Sequence, residues 1–137
     1  MNAVVLDASV LIKLFIEEPG SVEAVAAVES AEQLLAPDLL LAESSNILWK
    51  RVQRDELDAT VADELLTDIL QMQIQYTPTR DLVAVALRLA IETERTVYDA
   101  LYLALAIQAD AVLLTADERL VNSLDSAPYA ARLRPIS

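Results

Sequence analysis

Thirteen consecutive residues, Val97-Tyr98-Asp99-Ala100-Leu101-Tyr102-Leu103-Ala104-Leu105-Ala106-Ile107-Gln108-Ala109, carry a single charge, that of Asp99. A helix made from them has no polar face, and such a helix is buried. The run is too short to cross a bilayer, which takes about 20 residues, so it predicts a helix through the middle of a soluble core. A carboxylate there is costly to desolvate unless something pairs with it. The chain has no histidine, and its ten basic residues lie mostly far from Asp99 in sequence. What Asp99 is paired with is the question that leads to function.

At 137 residues the chain reads as one domain, 1–137, large enough for a real core. There is one glycine, Gly20, and no Ser- or Gly-rich linker, internal repeat or low-complexity segment. The hydrophobic share of 55% exceeds what a core alone requires and leaves room for a buried interface. The absence of cysteine excludes disulfides, thiolate metal sites and cysteine nucleophiles. The absence of histidine excludes Ser-His-Asp catalysis and histidine-bound zinc. The segment Met1-Asn2-Ala3 lacks a basic region and Asp7 interrupts the apolar run behind it, which argues against a signal peptide and for a cytoplasmic protein. A net charge of −12 argues against a general nucleic-acid-binding surface. It suits a basic protein partner, or a site that needs metal to face an anion.

Apolar patterning divides the chain into alternating strands and helices. Strands are expected over Ala3–Leu6, Gln33–Ala36, Ile74–Thr77 and Ala111–Thr115, with a fifth over Arg132–Ile136. Helices are expected over Ser9–Ile16, from Ser21 as cap, from Pro37 as first turn to about Arg54, over Leu57–Met72, from Thr79 as cap, over the central run, and over Asp117–Leu124. The helix after Thr79 would bury Leu82, Val83, Ala86, Leu87 and Ala90; Leu57–Met72 would bury Val61, Leu65, Leu66, Ile69 and Leu70. Strands alternating with helices predict an α/β fold with a central parallel sheet of four to five strands, covered on both faces. Ligands of such sheets sit beyond the carboxyl ends of the strands.

Four acids stand among apolar neighbours. Asp7 ends Val4-Val5-Leu6, Glu43 follows Leu39-Leu40-Leu41-Ala42 in a helix, Asp99 opens the buried helix, and Asp117 comes two residues after Val112-Leu113-Leu114-Thr115. Each has a local explanation: Asp7 and Asp117 as helix caps, Asp99 as the third residue of a capping box begun by Thr96, Glu43 as a solvated helix residue. Together they say more. Four carboxylates meeting with no histidine and no nearby arginine cannot share a dry site unless cations bind there or some stay protonated. Hard divalent cations take oxygen ligands, so Mg²⁺ or Mn²⁺ is the expected cofactor. Such a metal polarises a phosphoryl oxygen and activates water, and a carboxylate can hold or deprotonate that water, giving phosphodiester hydrolysis. Ser9, Asn46 and Thr115 each lie within a turn of an acid and are candidates to orient ligands or water, or simply to cap locally. Lys50 and Arg54 follow Glu43 on nearly the same helix face, about 10 and 16 Å along it, the reach of successive phosphates on a bound strand. The alternative is a solvated helix end whose basic residues complement the dipole.

The segments Val4-Val5-Leu6-Asp7-Ala8-Ser9, Glu43 with Asn46, Thr96-Val97-Tyr98-Asp99-Ala100-Leu101-Tyr102 and Leu114-Thr115-Ala116-Asp117 resemble the PIN-domain nucleases in order and spacing. The length and the Tyr-Asp-Ala segment look most like the VapC toxins of toxin–antitoxin pairs. The resemblance implies a three-layer α/β/α fold, Mg²⁺- or Mn²⁺-dependent endoribonuclease activity, a homodimer, no membrane attachment, and inhibition by a cognate antitoxin whose tail enters the acidic cleft. It makes Asp7, Glu43, Asp99 and Asp117 the catalytic set, with metal held by Asp7, Asp99 and Asp117, foremost the first two. Thr115 matches the family's hydroxyl position, and Lys50 and Arg54 would meet the RNA. Other chemistries fit less well. An aspartyl phosphatase wants an acid where Ser9 stands, a receiver domain wants one where Pro78 stands, and nucleotide loops need more than one glycine. The remaining rival is a non-catalytic PIN-like module that only binds a partner.

Overall fold

A computed structural model describes residues 2–124 and 128–137. Five short strands, β1 Ala3–Leu6, β2 Gln33–Pro37, β3 Gln75–Thr77, β4 Val112–Thr115 and β5 Leu133–Pro135, form one sheet in the order β3-β2-β1-β4-β5. Every pairing is parallel, with Val5 opposite Leu35 on one side and Leu113 on the other. Val4, Val5, Leu6, Leu113 and Leu114 are buried. Both faces of the central strands are covered, which is why they read as unbroken apolar runs without alternation.

The helices are α1 Ala8–Leu11, continued by a 3-10 turn at Ile12–Leu14, then α2 Ser21–Glu29, α3 Leu39–Gln53, α4 Ala59–Gln71, α5 Val83–Thr93, α6 Val97–Gln108 and α7 Glu118–Leu124. Right-handed crossovers between parallel strands place α1 to α4, on the path β1 to β3, in one layer, and α5 and α6, which return the chain to β4, in the other. The result is the expected three-layer α/β/α arrangement. Among the described residues, no helix is long and apolar enough to cross a membrane.

The central run is α6. It packs against α5 and across β1, β2 and β4, and Ala100 through Ala106 are all buried. Interleaved alanines let the helix approach the sheet, and each fully buried leucine between them contributes about 2 kcal/mol. Asp99 departs from expectation. It lies in the first turn, where the helix reaches the surface, and its side chain is partly exposed.

Several boundaries and faces also differ. Pro37 ends β2, paired with Thr77, and does not open α3. The next residue explains this: the Asp38 carboxylate accepts the N–H and hydroxyl of Thr79, tying two sheet exits together. Thr79 therefore begins a 3-10 turn, Thr79–Asp81, and does not cap α5. Ser21 is displaced as cap by Gly20, whose φ of 92° makes the entry turn. The Ser21 hydroxyl instead takes the Glu18 N–H and donates to the Ile16 carbonyl. On α5, Leu82, Ala86 and Ala90 are buried beside Leu89, but Val83 and Leu87 are exposed. On α4, Ile69 is buried while Val61 and Leu70 face solvent.

Candidate active site

β1 and β4 are neighbours whose onward connections leave in opposite directions, so a crevice opens beyond their carboxyl ends. Asp7 stands at the end of β1, only 8% exposed. Its Oδ1 accepts the Val10 N–H at 3.1 Å, capping α1, and the Ser9 hydroxyl at 2.5 Å. Ser9 Oγ in turn accepts the Ala116 N–H at 3.0 Å, bracing β1 against the exit of β4. The fully buried Thr115 hydroxyl lies against Asp7 and accepts the Asp117 N–H at 3.1 Å. Burial pushes the Asp7 carboxyl up to about 6; the Ser9, Thr115 and Val10 donors pull it down, and the Asp117 charge adds to the rise. Desolvation thus outweighs three hydrogen bonds.

Glu43 enters from the second turn of α3 and is half-buried. Its Oε1 accepts the hydroxyl of Tyr102 at 2.5 Å. Burial raises the Glu43 carboxyl, the Tyr102 bond opposes this, and the Asp99 charge raises it further. Tyr102, only 3% exposed, is driven far above the ordinary phenol range by burial, by its bond to Glu43 and by the charges of Glu43, Asp7 and Asp99. It is a permanent donor set among three acids. In the sequence it looked like one more core residue, and its alignment with Asp99 at helical spacing was the available signal.

Asp99 and Asp117 complete the set. The Thr96 hydroxyl accepts the Asp99 N–H at 3.1 Å and caps α6. The Asp99 carboxylate does not return to Thr96, so the expected capping box is half-formed. It turns to Arg95, whose Nη2 lies 2.8 Å from Asp99 Oδ2 and 3.7 Å from Asp117 Oδ2. The other Asp117 oxygen accepts the N–H groups of Arg119 and Leu120 and caps α7. The expectation of no arginine nearby is therefore corrected: the partner of Asp99 stands four residues before it, just ahead of the α6 cap Thr96. The capping roles of Asp7 and Asp117 hold at the same time as their place in the site, because a carboxylate has two oxygens.

The four acids thus share one end of the sheet. Asp7 feels the charge of Asp117, Glu43 feels that of Asp99, and Tyr102, which donates to Glu43, feels Asp7 and Asp99 as well. Among the described residues, no three of them are gathered tightly enough to enclose a metal ion. The donor set still fits a hard cation: it is all oxygen, and the buried Asp7 carboxylate has no ion-pair partner among the described residues. Ser9 and Thr115 touch Asp7 as expected. Asn46 does not join them: it is exposed and has no side-chain hydrogen bond among those described. Lys50 on α3 and Arg54, its C-cap, are exposed and, among the described residues, form no ion pair, whereas Arg51 between them is held by Glu18.

Residues 4–123 match the PIN domain family. Ribonuclease VapC3 of Pyrobaculum aerophilum is 34% identical over 120 residues, 86% of this chain and 92% of that protein. The crystal structure of PAE2754 from Pyrobaculum aerophilum superposes with a TM-score of 0.70 at 27% identity, over 92% of this chain and 82% of that one. A toxin–antitoxin complex from Klebsiella pneumoniae aligns with a TM-score of 0.66 at 18% identity, over 96% and 95%. VapBC2 from Rickettsia felis, bound to a DNA fragment from their promoter, gives 0.66 at 14%, over 98% and 99%. The last two speak for the fold, and the first two carry sequence likeness as well. With the matched segment running from β1 into α7, the chain belongs to the PIN-domain family, among its VapC relatives.

Proposed function

We propose that the protein is a divalent-metal-dependent endoribonuclease, the toxin of a toxin–antitoxin pair. The observation that carries this reading is that Glu43, Asp7 and Asp99 act on the Tyr102 hydroxyl while Asp117 acts on Asp7 and shares Arg95 with Asp99, at the carboxyl ends of β1 and β4. The likeness to a protein named a ribonuclease supplies the substrate class.

Asp7, Asp99 and Asp117 are the residues to hold Mg²⁺ or Mn²⁺. When bound, the ion offsets the carboxylate charge and polarises the phosphodiester towards attack by water. Glu43, raised by burial and steadied by Tyr102, is placed to orient that water and accept its proton. Ser9 and Thr115 fix the Asp7 carboxylate so that one face stays turned to the crevice. Lys50 and Arg54, on the Glu43 helix, meet neighbouring phosphates of the strand, so an acidic protein still offers RNA a local basic strip. An antitoxin is the protein partner, in keeping with the complexes among the structural neighbours. A second copy of the chain covers exposed apolar side chains of α5.

The test is cleavage of RNA in Mg²⁺ or Mn²⁺ by the wild type, Asp7→Asn and Asp99→Asn. Cleavage should need the metal and fall to background in both variants while their circular dichroism stays that of the wild type. Wild-type rates in either variant would defeat the assignment.

A further inference from the structure

We propose that Arg95 is the resident cation of the acidic site, which a divalent ion must displace, so that this residue sets how much metal the nuclease requires. The inference rests on the metal-dependent reading above and concerns a residue to which that reading gives no role.

One nitrogen makes the case. Arg95 Nη2 contacts Asp99 Oδ2 at 2.8 Å and stands 3.7 Å from Asp117 Oδ2. These are side chains of two of the three acids assigned to the metal. An ion ligated by the same two oxygens sits about 2.0–2.6 Å from each. Arg95 Nη2, at 2.8 and 3.7 Å from the two oxygens, holds the approach to that position. Two positive centres cannot share it, so the guanidinium and the ion are alternatives.

An Arg–Asp pair four residues apart is common on helix surfaces and by itself says little. Asp117 is what separates this case. It comes from the turn between β4 and α7, and its carboxylate is already occupied on one oxygen by the N-terminus of α7. The guanidinium therefore joins two elements and offsets their mutual repulsion when no metal is present. Its hold is also incomplete. Arg95 Nε is buried with no hydrogen-bond partner. A guanidinium built in as a permanent strut has its donors satisfied. This one leaves a donor orphaned, and swinging outward returns that donor to water. Glu94, in the left-handed region at φ 59°, ends α5 and turns the chain so that Arg95 faces the acids from a short link between α5 and α6.

The experiment is Mn²⁺ titration by calorimetry of the full chain, metal-free and without RNA, for the wild type, Arg95→Gln and Arg95→Lys. Thermal unfolding is followed with and without Mn²⁺. Arg95→Gln should bind Mn²⁺ about fivefold more tightly, the scale of two partly exposed ion pairs. It should melt lower than the wild type without metal and gain more from Mn²⁺. Arg95→Lys, which keeps the charge, should fall between the two and covers the case in which Arg95→Gln does not fold. Equal or weaker Mn²⁺ binding by the uncharged variant, with wild-type binding intact, overturns the inference and leaves the nuclease reading standing. No Mn²⁺ uptake by the wild type or by either variant overturns both.

Discussion

At neutral pH the Asp7 carboxyl, raised to about 6, is ionised while almost wholly out of water. Its unfolded value is near 3.8, so between these two pH values the native state holds a proton that the unfolded chain has released. Stability without metal therefore falls as pH rises through this window, and above it the full cost, about 3 kcal/mol at most, is carried. Asp7→Asn should thus be more stable than the metal-free wild type at pH 7.5, by about 1–3 kcal/mol, with the difference gone near pH 4. Urea denaturation at the two pH values checks it, and a loss of stability at both would contradict it. Tyr102→Phe removes the donor to Glu43 and leaves a half-buried carboxylate unmet, a loss on the order of 1.5–3 kcal/mol for a charged bond. The Glu43 carboxyl then rises, and the acidic limb of the cleavage pH profile should move to higher pH. The four acids were legible because a charge among apolar residues needs a reason. Arg95 and Tyr102 were not. An arginine before a helix and a tyrosine within an apolar run both have ordinary readings, and only the fold shows that each meets one of the acids.

Among the elements, the strands and α6 were the most readable, since a continuous apolar run can only be buried. Leu103→Ala, in the middle of α6 and 2% exposed, should cost about 2–5 kcal/mol. Chemical denaturation checks it, and a cost below about 1 kcal/mol would mean that α6 is not central to the core. The faces of α5 and α4 were harder. With Leu82, Val83, Val85, Leu87, Leu89 and Ile91 spread around α5, there is too little polarity to orient the helix, and its rotation is set by contact with α6. Boundaries at Pro37, Ser21 and Thr79 slipped for another reason. Each is a good cap or first-turn residue, but distant partners outbid the local role: Thr77 for Pro37, Asp38 for Thr79, and the Ile16 and Glu18 backbone for Ser21.

For the molecule as a whole, Val83, Leu87 and Ile91 form an exposed apolar line at four-residue steps along α5. A second copy is the expected cover, so sedimentation should show a dimer that Leu87→Glu dissociates; a wild-type monomer at micromolar concentration would refute this. The layer order and parallel sheet were legible from alternation, whereas the sheet order, which makes β1 and β4 neighbours, could not be read from local pattern. That order has a temporal consequence. β1 is made before the other strands, yet its partner on the side of the acidic site, β4, is more than a hundred residues downstream. Until that strand slots in beside it, Asp7 lacks Thr115 and Asp117, and the blade has only one edge. The acidic site is therefore complete only once β4 and the turn behind it have been made. A polypeptide stopped after Asp110 should take up no Mn²⁺ and cut no RNA, and cleavage by that fragment would remove the argument.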